Sequence, residues 1–576
     1  MTEELKVLRQ VMHVTYARNQ EAKTEDALIV KERLRCVKTG REKPHIRIVE
    51  NYKRKFWVTK KGCRNHEQKR EYEFLENLDE YEATDAALPY RLNKVLGNSG
   101  GNFPRLSHLC RSPYVYGTDI RSTVLYKSEM DAINKERNGD WNPDYSIAVA
   151  DYETNMHSDE EEIITGAISM GNKAIIVASE SFMSGIVNPE AKMQEVTERY
   201  LEKEIVKRNM TIKYRIVKDD LAVVKEILRF AHILKPDFLV FWNMLFDVNK
   251  MIESCERHNV DPANLFSDPA IPAKYRYFRW QEDRPNKVSA SGKKTNKDPS
   301  ETWSVVHCPA SFYVIDAMCV FRMLRVVEGK RHSYSLDAIL QSTVDIRKLE
   351  IPGLDGNHNI LWHRNAQQYY KPEYCAYNLF DCISVEILDE ETNDLSKKIG
   401  LYADGSDFGT LASNPKRLAN AIHTFLLKEG KVLCSTSDNM TEKEDRHPLD
   451  KTGWIVTLAN ELAEEAGIPI FQELHDLILR IAKFVSDIDI TSGYPTAHSA
   501  GNVSRSTTLV EVCAIKGLTR HLVKELAVNM MAVPANSVEI GNKVLGLPRL
   551  EEWEKALNGL DTVEKVNAML DELEAA

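Results

Sequence analysis

Ser146-Ile-Ala-Val-Ala-Asp-Tyr-Glu153 is the stretch on which the reading of this chain turns. Its apolar run predicts a buried β-strand, closed by two carboxylates. Ile163 to Met170 and Lys173 to Ala178 are two further apolar strands, joined by the turn pair Gly171-Asn172. Helical runs are predicted at 187–206 and 219–234, then a strand from Phe238 to Trp242 and a helix from Val248 to His258. A strand at Phe312 to Asp316 and a long helix over 372–396 complete the block. Adjacent strands followed by alternating helix and strand imply an α/β domain.

Chemistry is concentrated at three places in that block. Asp151 and Glu153 are two apart on a strand and so share one face, where they repel each other unless a cation lies between them. Taken alone, such a pair is a common solvated strand end. Asn243-Met-Leu-Phe-Asp247 follows the next apolar strand. Asp247 is either a helix N-cap or a third carboxylate delivered at a strand end. Tyr377-Asn-Leu-Phe-Asp381 lies on the long helix, where a spacing of four puts hydroxyl and carboxylate on one face. The plain alternative is a core Tyr beside a surface Asp. Further on, Phe484 to Ile490 reads as a strand with Asp487 and Asp489 on one face, running into Thr491-Ser-Gly-Tyr-Pro495.

Together the pieces resemble a known family. In order and context, the first three resemble the Exo I, Exo II and Exo III motifs of the DEDDy-type 3′–5′ exonucleases of family B DNA polymerases. Asp489-x-x-Ser492-Gly-Tyr494-Pro is similar to the first polymerase motif of the same family. The resemblance spans residues 100–530 and is strongest to the large tailed-phage replicases. It implies a mixed α+β N-terminal domain over 1–144, a ribonuclease H-like exonuclease domain over 145–400, and a connector with part of a polymerase palm over 401–576. It also implies that Asp151, Glu153, Asp247 and Asp381 hold two Mg²⁺ ions, with Mn²⁺ as a substitute. Tyr377 would orient the attacking water and Asn243 would lie near the frayed 3′ strand. In the palm, Asp489 would bind the catalytic metals, Ser492 would lie by the triphosphate and Tyr494 would pack under the sugar. Gly493 stands where the family usually has Leu, and Ala376 disfavours the His-bearing version of the exonuclease.

The later polymerase motifs do not follow Pro495 in this sequence. The expectation is therefore a proofreading front part of a DNA polymerase, with a second polypeptide supplying the remaining palm, fingers and thumb. Primer-template DNA, its single-stranded 3′ end and deoxynucleoside triphosphates are the expected partners. A stand-alone exonuclease with a relic palm, and a non-catalytic DNA-binding scaffold, are the alternatives.

Bulk properties set the frame. The 576 residues are 43% hydrophobic and 28% charged, which suits three or four soluble domains. No apolar run opens the chain and none reaches membrane-spanning length, so a cytoplasmic location is expected, the host cytoplasm if phage-encoded. The ten scattered cysteines contain no Cys-x-x-Cys pair and read as reduced thiols, and Cys63-x-x-His66 lacks partners for zinc. Net charge is −10, but residues 1–70 hold 19 Lys/Arg against 9 Asp/Glu. There Lys53-Arg-Lys-Phe-Trp57 interleaves cations with aromatics, either a nucleic-acid surface or a solvated basic face. Residues 285–299 read as an exposed loop or hairpin tip, and Tyr116-Gly-Thr-Asp119 as a decoy of a polymerase motif.

Overall fold

A computed structural model describes residues 7–67, 69–97, 105–139, 141–288, 294–354, 358–403, 405–411 and 413–439. Asp487, Asp489, Ser492, Gly493 and Tyr494 lie outside the described residues. Contacts divide the chain into two compact units. The first takes residues 1–55, 82–99 and 120–428, and the second takes 56–81, 100–119 and, among the described residues, 429–439. This grouping cuts across the expected boundary at 144.

The first unit is a mixed α/β structure. Its N-terminal strands β1 (Val7–Arg18), β2 (Asp26–Cys36) and β3 (Glu42–Glu50) form an antiparallel meander. A six-stranded sheet follows, from β4 (Ile147–Thr154), β5 (Ile163–Met170), β6 (Lys173–Ser179), β7 (Thr211–Val217), β8 (Phe238–Phe241) and β9 (Tyr313–Asp316). Their spatial order is β7-β6-β5-β4-β8-β9. β4, β5 and β6 pair antiparallel, and the Gly171 turn at φ 59° is short enough to return the chain at once. β7 follows α1 (Pro189–Tyr200) and joins parallel to β6, and β8 is parallel to both β4 and β9.

Alternation along β4 decides where the carboxylates go. Ala148, Ala150 and Tyr152 pack in one core with Val223, Val224 and Ile227 of α2 (Asp220–Leu234) and Val248 and Met251 of α3 (Met244–Arg257). Val149 packs in the opposite core, with Tyr374, Tyr377 and Cys382 of the long helix. Asp151 and Glu153 are in step with Val149, so they emerge toward the long helix.

Gly166 is the β5 partner of Tyr152, and a Cβ there would meet the Tyr152 ring at 2.7 Å. Gly166→Ala is therefore expected to lower stability by about 1–3 kcal/mol through overpacking. A denaturant midpoint equal to wild type would refute this.

Several helices depart from their sequence-based bounds. The run expected over 187–206 breaks at Leu201 into Pro189–Tyr200 and Glu202–Arg208. α3 starts at Met244 rather than at Val248, because the Asp316 carboxylate accepts from Met244 N at 2.9 Å. The same carboxylate caps Ala317–Leu324 through Cys319 N at 2.8 Å, and burial raises its pKa to about 7. Three helices between β9 and the long helix, Ala317–Leu324, Leu336–Val344 and Ile360–Tyr369, have no counterpart in the sequence-based expectation. The long helix itself, Lys371–Thr392, has Pro372 in its first turn and ends at Asn393, whose φ of 55° stops it four residues early.

Within this unit, Lys31 joins the meander to the larger sheet. Its ammonium donates to the carbonyls of Lys235, Pro236 and Ser311 and lies 3.7 Å from Asp237, and neither the Lys31 nor the Asp237 side chain is solvent-exposed. Within the polar 285–299 stretch, Asn286–Val288 and Lys294–Asn296 pair antiparallel.

In the second unit, Phe56 and Trp57 are buried in the three-stranded sheet that also uses Leu78–Ala83 and Val115–Tyr116. Arg54, on the same strand, is buried and paired with Asp85 at 3.2 Å. These aromatics are core, which removes the base-stacking reading of Lys53–Trp57. Among the described residues no cysteine forms a disulfide, and no helix is long and apolar enough to cross a membrane.

Candidate metal centre

The first-unit sheet and the long helix bring Asp151, Glu153 and Asp381 together. Each offers one oxygen, and those oxygens lie within 4.8 Å of one another. Asp247 and Asn243 line the same cleft, of about 900 Å³, with Tyr377, Phe246 and Trp362. Asp247 is in the first turn of α3 rather than at its N-cap, and its Oδ1 accepts from Tyr152 N at 3.2 Å. Asn243 holds the N-cap position with no side-chain cap bond.

The carboxylates destabilise one another's charge. Burial, then Asp247, Glu153 and Asp381, push the Asp151 pKa well above the usual carboxylate range. Burial raises Glu153 to about 7, against the opposing hydrogen bond from Tyr374. Burial raises Asp247 well above normal, with Glu153 and Asp316 adding to it. Asp381 is also raised by burial, although Lys348 opposes the shift. Such crowding of buried acids marks either a cation site or a proton-sharing pair. The donor set is all oxygen, and Asp381 Oδ1 is buried without a partner. Both features fit a hard divalent ion such as Mg²⁺ or Mn²⁺.

Lys348 is one of the residues that sequence reasoning missed. It lies beyond the helix Leu336–Val344, and its ammonium donates to Asp381 Oδ2 at 2.5 Å and to Tyr377 Oη at 2.8 Å. Burial would discharge it, but Asp381, Asp151 and Glu153 outweigh burial and raise its pKa. Tyr377 keeps its proton, since burial and then Asp381, Glu153 and Asp151 place its pKa well above the phenol range. No local pattern marks Lys348, because its role exists only once two distant segments meet.

The long helix supplies two more contacts. Asn378 Nδ2 donates to Asp151 Oδ2 at 2.7 Å, and the buried Tyr374 hydroxyl donates to Glu153 Oε2. The spacing of Tyr374, Tyr377, Asn378 and Asp381 is the signal that could have found them, since residues three and four apart share a helix face.

A second cluster, Asp219, Asp220 and His258, has other employment. Asp219 caps α2 through Ala222 N, and Asp220 is held by Arg257 and by His258 at 2.7 Å. No protein-family model matches this sequence, and no curated protein does.

Proposed function

We propose that this chain is a 3′–5′ exodeoxyribonuclease module of a family B DNA polymerase, of ribonuclease H-like fold, acting by metal-assisted phosphodiester hydrolysis. The observation that carries the reading is the convergence of Asp151, Glu153 and Asp381 in one cleft with Asp247 and Tyr377. Three sequence segments, each unremarkable alone, supply four carboxylates and one phenol to a single place.

In this reading Asp151, Glu153, Asp247 and Asp381 hold two divalent cations. Bound there, such ions would supply Lewis-acid activation of a water nucleophile and would stabilise the charge that develops in displacement at phosphorus. The protein contributes position. Lys348 donates to the Tyr377 oxygen and Asp381 draws the phenol's own proton, so the hydroxyl is held at a fixed place in the cleft, where it would orient the incoming water. Asn243 and Phe246 line the cleft, where a frayed 3′ nucleotide would be gripped. Lys348 keeps the crowded acids partly neutralised until the cations arrive.

The polymerase part of the proposal rests on the resemblance at Asp489-x-x-Ser492-x-Tyr494. Nucleotidyl transfer needs carboxylates besides Asp489, either from further residues of the same protein or from a second polypeptide. The intact acidic set weighs against a non-catalytic scaffold.

The test uses the chain, Mg²⁺ and a 5′-labelled primer-template with a mismatched 3′ end, with and without deoxynucleotides. Stepwise shortening that the Asp151→Ala/Glu153→Ala variant abolishes is expected. Absence of shortening on both single-stranded and mismatched primers would overturn the exonuclease reading.

A further inference from the structure

We infer that Tyr374 and Asn378 determine which divalent cation the acidic centre accepts, by leaving each of their carboxylates only one oxygen to offer. This rests on reading the cluster as a metal centre. Each of its four carboxylates already has one oxygen engaged by a protein donor. Asn378 Nδ2 holds Asp151 Oδ2 at 2.7 Å. The Tyr374 hydroxyl holds Glu153 Oε2. Lys348 Nζ holds Asp381 Oδ2 at 2.5 Å, and Tyr152 N holds Asp247 Oδ1 at 3.2 Å.

The direction of the Tyr374 bond is fixed by counting protons. The hydroxyl has one proton and three neighbours: Glu153 Oε2, His363 Nδ1 at 2.8 Å and Gln367 Nε2 at 3.2 Å. Gln367 can only donate through that nitrogen. Its amide is oriented by Thr154 O, which accepts from Nε2 at 2.8 Å, and by Met156 N, which donates to Oε1 at 2.9 Å. An ionised Glu153 can only accept. The Tyr374 proton therefore goes to Glu153, and His363 supplies its own Nδ1–H. All of Tyr374's capacity is used, with no solvent exposure, so the arrangement has little freedom to rotate away.

Carboxylates restricted to one oxygen suit a small cation that takes single oxygens in a tight octahedron, as Mg²⁺ does. Ca²⁺ takes more and longer bonds, often with both oxygens of a carboxylate. The helix face that brings Asp381 to the cluster thus also carries the two side chains that restrict Glu153 and Asp151. Sequence reading gave Tyr377 and Asp381 a role on that face and left Tyr374 and Asn378 without one.

The experiment is calorimetric titration of the full chain with MgCl₂, MnCl₂ and CaCl₂ separately, for wild type, Tyr374→Phe, Asn378→Ser and Asp151→Ala/Glu153→Ala. Melting in EDTA accompanies each. Tyr374→Phe is expected to raise Ca²⁺ affinity relative to Mg²⁺ by about 10-fold, at the low end of what loss of an outer-shell partner does to metal sites. Asn378→Ser is expected to shift the ratio the same way. An unchanged ratio in both would overturn the inference. So would equal loss of all cations with a fall in EDTA melting, since that is a purely structural role. Should Tyr374→Phe fail to fold, Asn378→Ser is judged by the same criteria, and failure of both to fold also overturns it. If the double alanine variant binds every cation as wild type does, the metal-centre reading itself falls.

Discussion

Asp151→Asn should melt higher than wild type in EDTA at pH 8, and should cleave labelled primer about 10²–10³-fold more slowly in Mg²⁺. Both effects come from the same crowding. Asp151 faces Asp247, Glu153 and Asp381, and burial adds to their repulsion. All four carboxylates have folded-state pKa values above their unfolded ones. Their contribution to stability is therefore fully present below the ordinary carboxylate pKa near 4 and is lost as pH rises through the folded values, which for Glu153 is about 7. In EDTA the wild-type protein should lose stability between about pH 4 and pH 8, and Asp151→Asn should lose less of it. The amide can still accept from Asn378, so the hydrogen bond at 2.7 Å need not be forfeited. Excess Mg²⁺ should reverse the order, because a cation that binds only the folded state stabilises it in proportion to the logarithm of its saturation. A variant that melts below wild type in EDTA at pH 8, or that responds equally to Mg²⁺, would refute this account.

How much of this was legible beforehand depended on where the information lay. β4, β5, β6, β8 and β9 were readable because each is a short apolar run bounded by turn residues or carboxylates. β7 was not, since its burial alternates between exposed and partly exposed residues and leaves no apolar run. Asp151 and Glu153 were placed on one face correctly because strand periodicity is a local property. Asp247 was placed near a strand end, but its helix begins earlier than its own sequence suggests, since the first turn is capped by Asp316 from another strand. Lys53–Trp57 misled in the opposite sense. Its composition fits a nucleic-acid surface, yet Phe56 and Trp57 are buried, and periodicity over five residues cannot separate the two. The polar shell of the centre was least legible. Tyr374 and Asn378 carry a helical spacing that could have been used, whereas Lys348 reaches Asp381 only through tertiary structure.

Lys348→Met is the sharper test of how the centre works, because it separates neutralisation from positioning. Methionine keeps the length of the side chain and removes its charge. In EDTA at pH 8 the variant should be less stable by about 3–5 kcal/mol, the usual cost of leaving one member of a buried ion pair alone. Asp381 is 4% exposed and has little water to turn to. At pH 5 the deficit should shrink as the neighbouring carboxylates take up protons. Saturating Mg²⁺ should close most of the gap at pH 8 as well, since the ions then supply the positive charge that Lys348 gave. Cleavage should not recover with it. Tyr377 Oη accepts from Lys348 at 2.8 Å, and without that donor the phenol is free to turn its proton elsewhere. A rate that stays about 10²-fold low at saturating Mg²⁺, with melting restored, would assign Lys348 the task of aiming Tyr377. Full recovery of both would reduce Lys348 to a counterion for the metal-free protein. That result would also weaken the case for Tyr377, because its placement over the cleft depends on the same hydrogen bond.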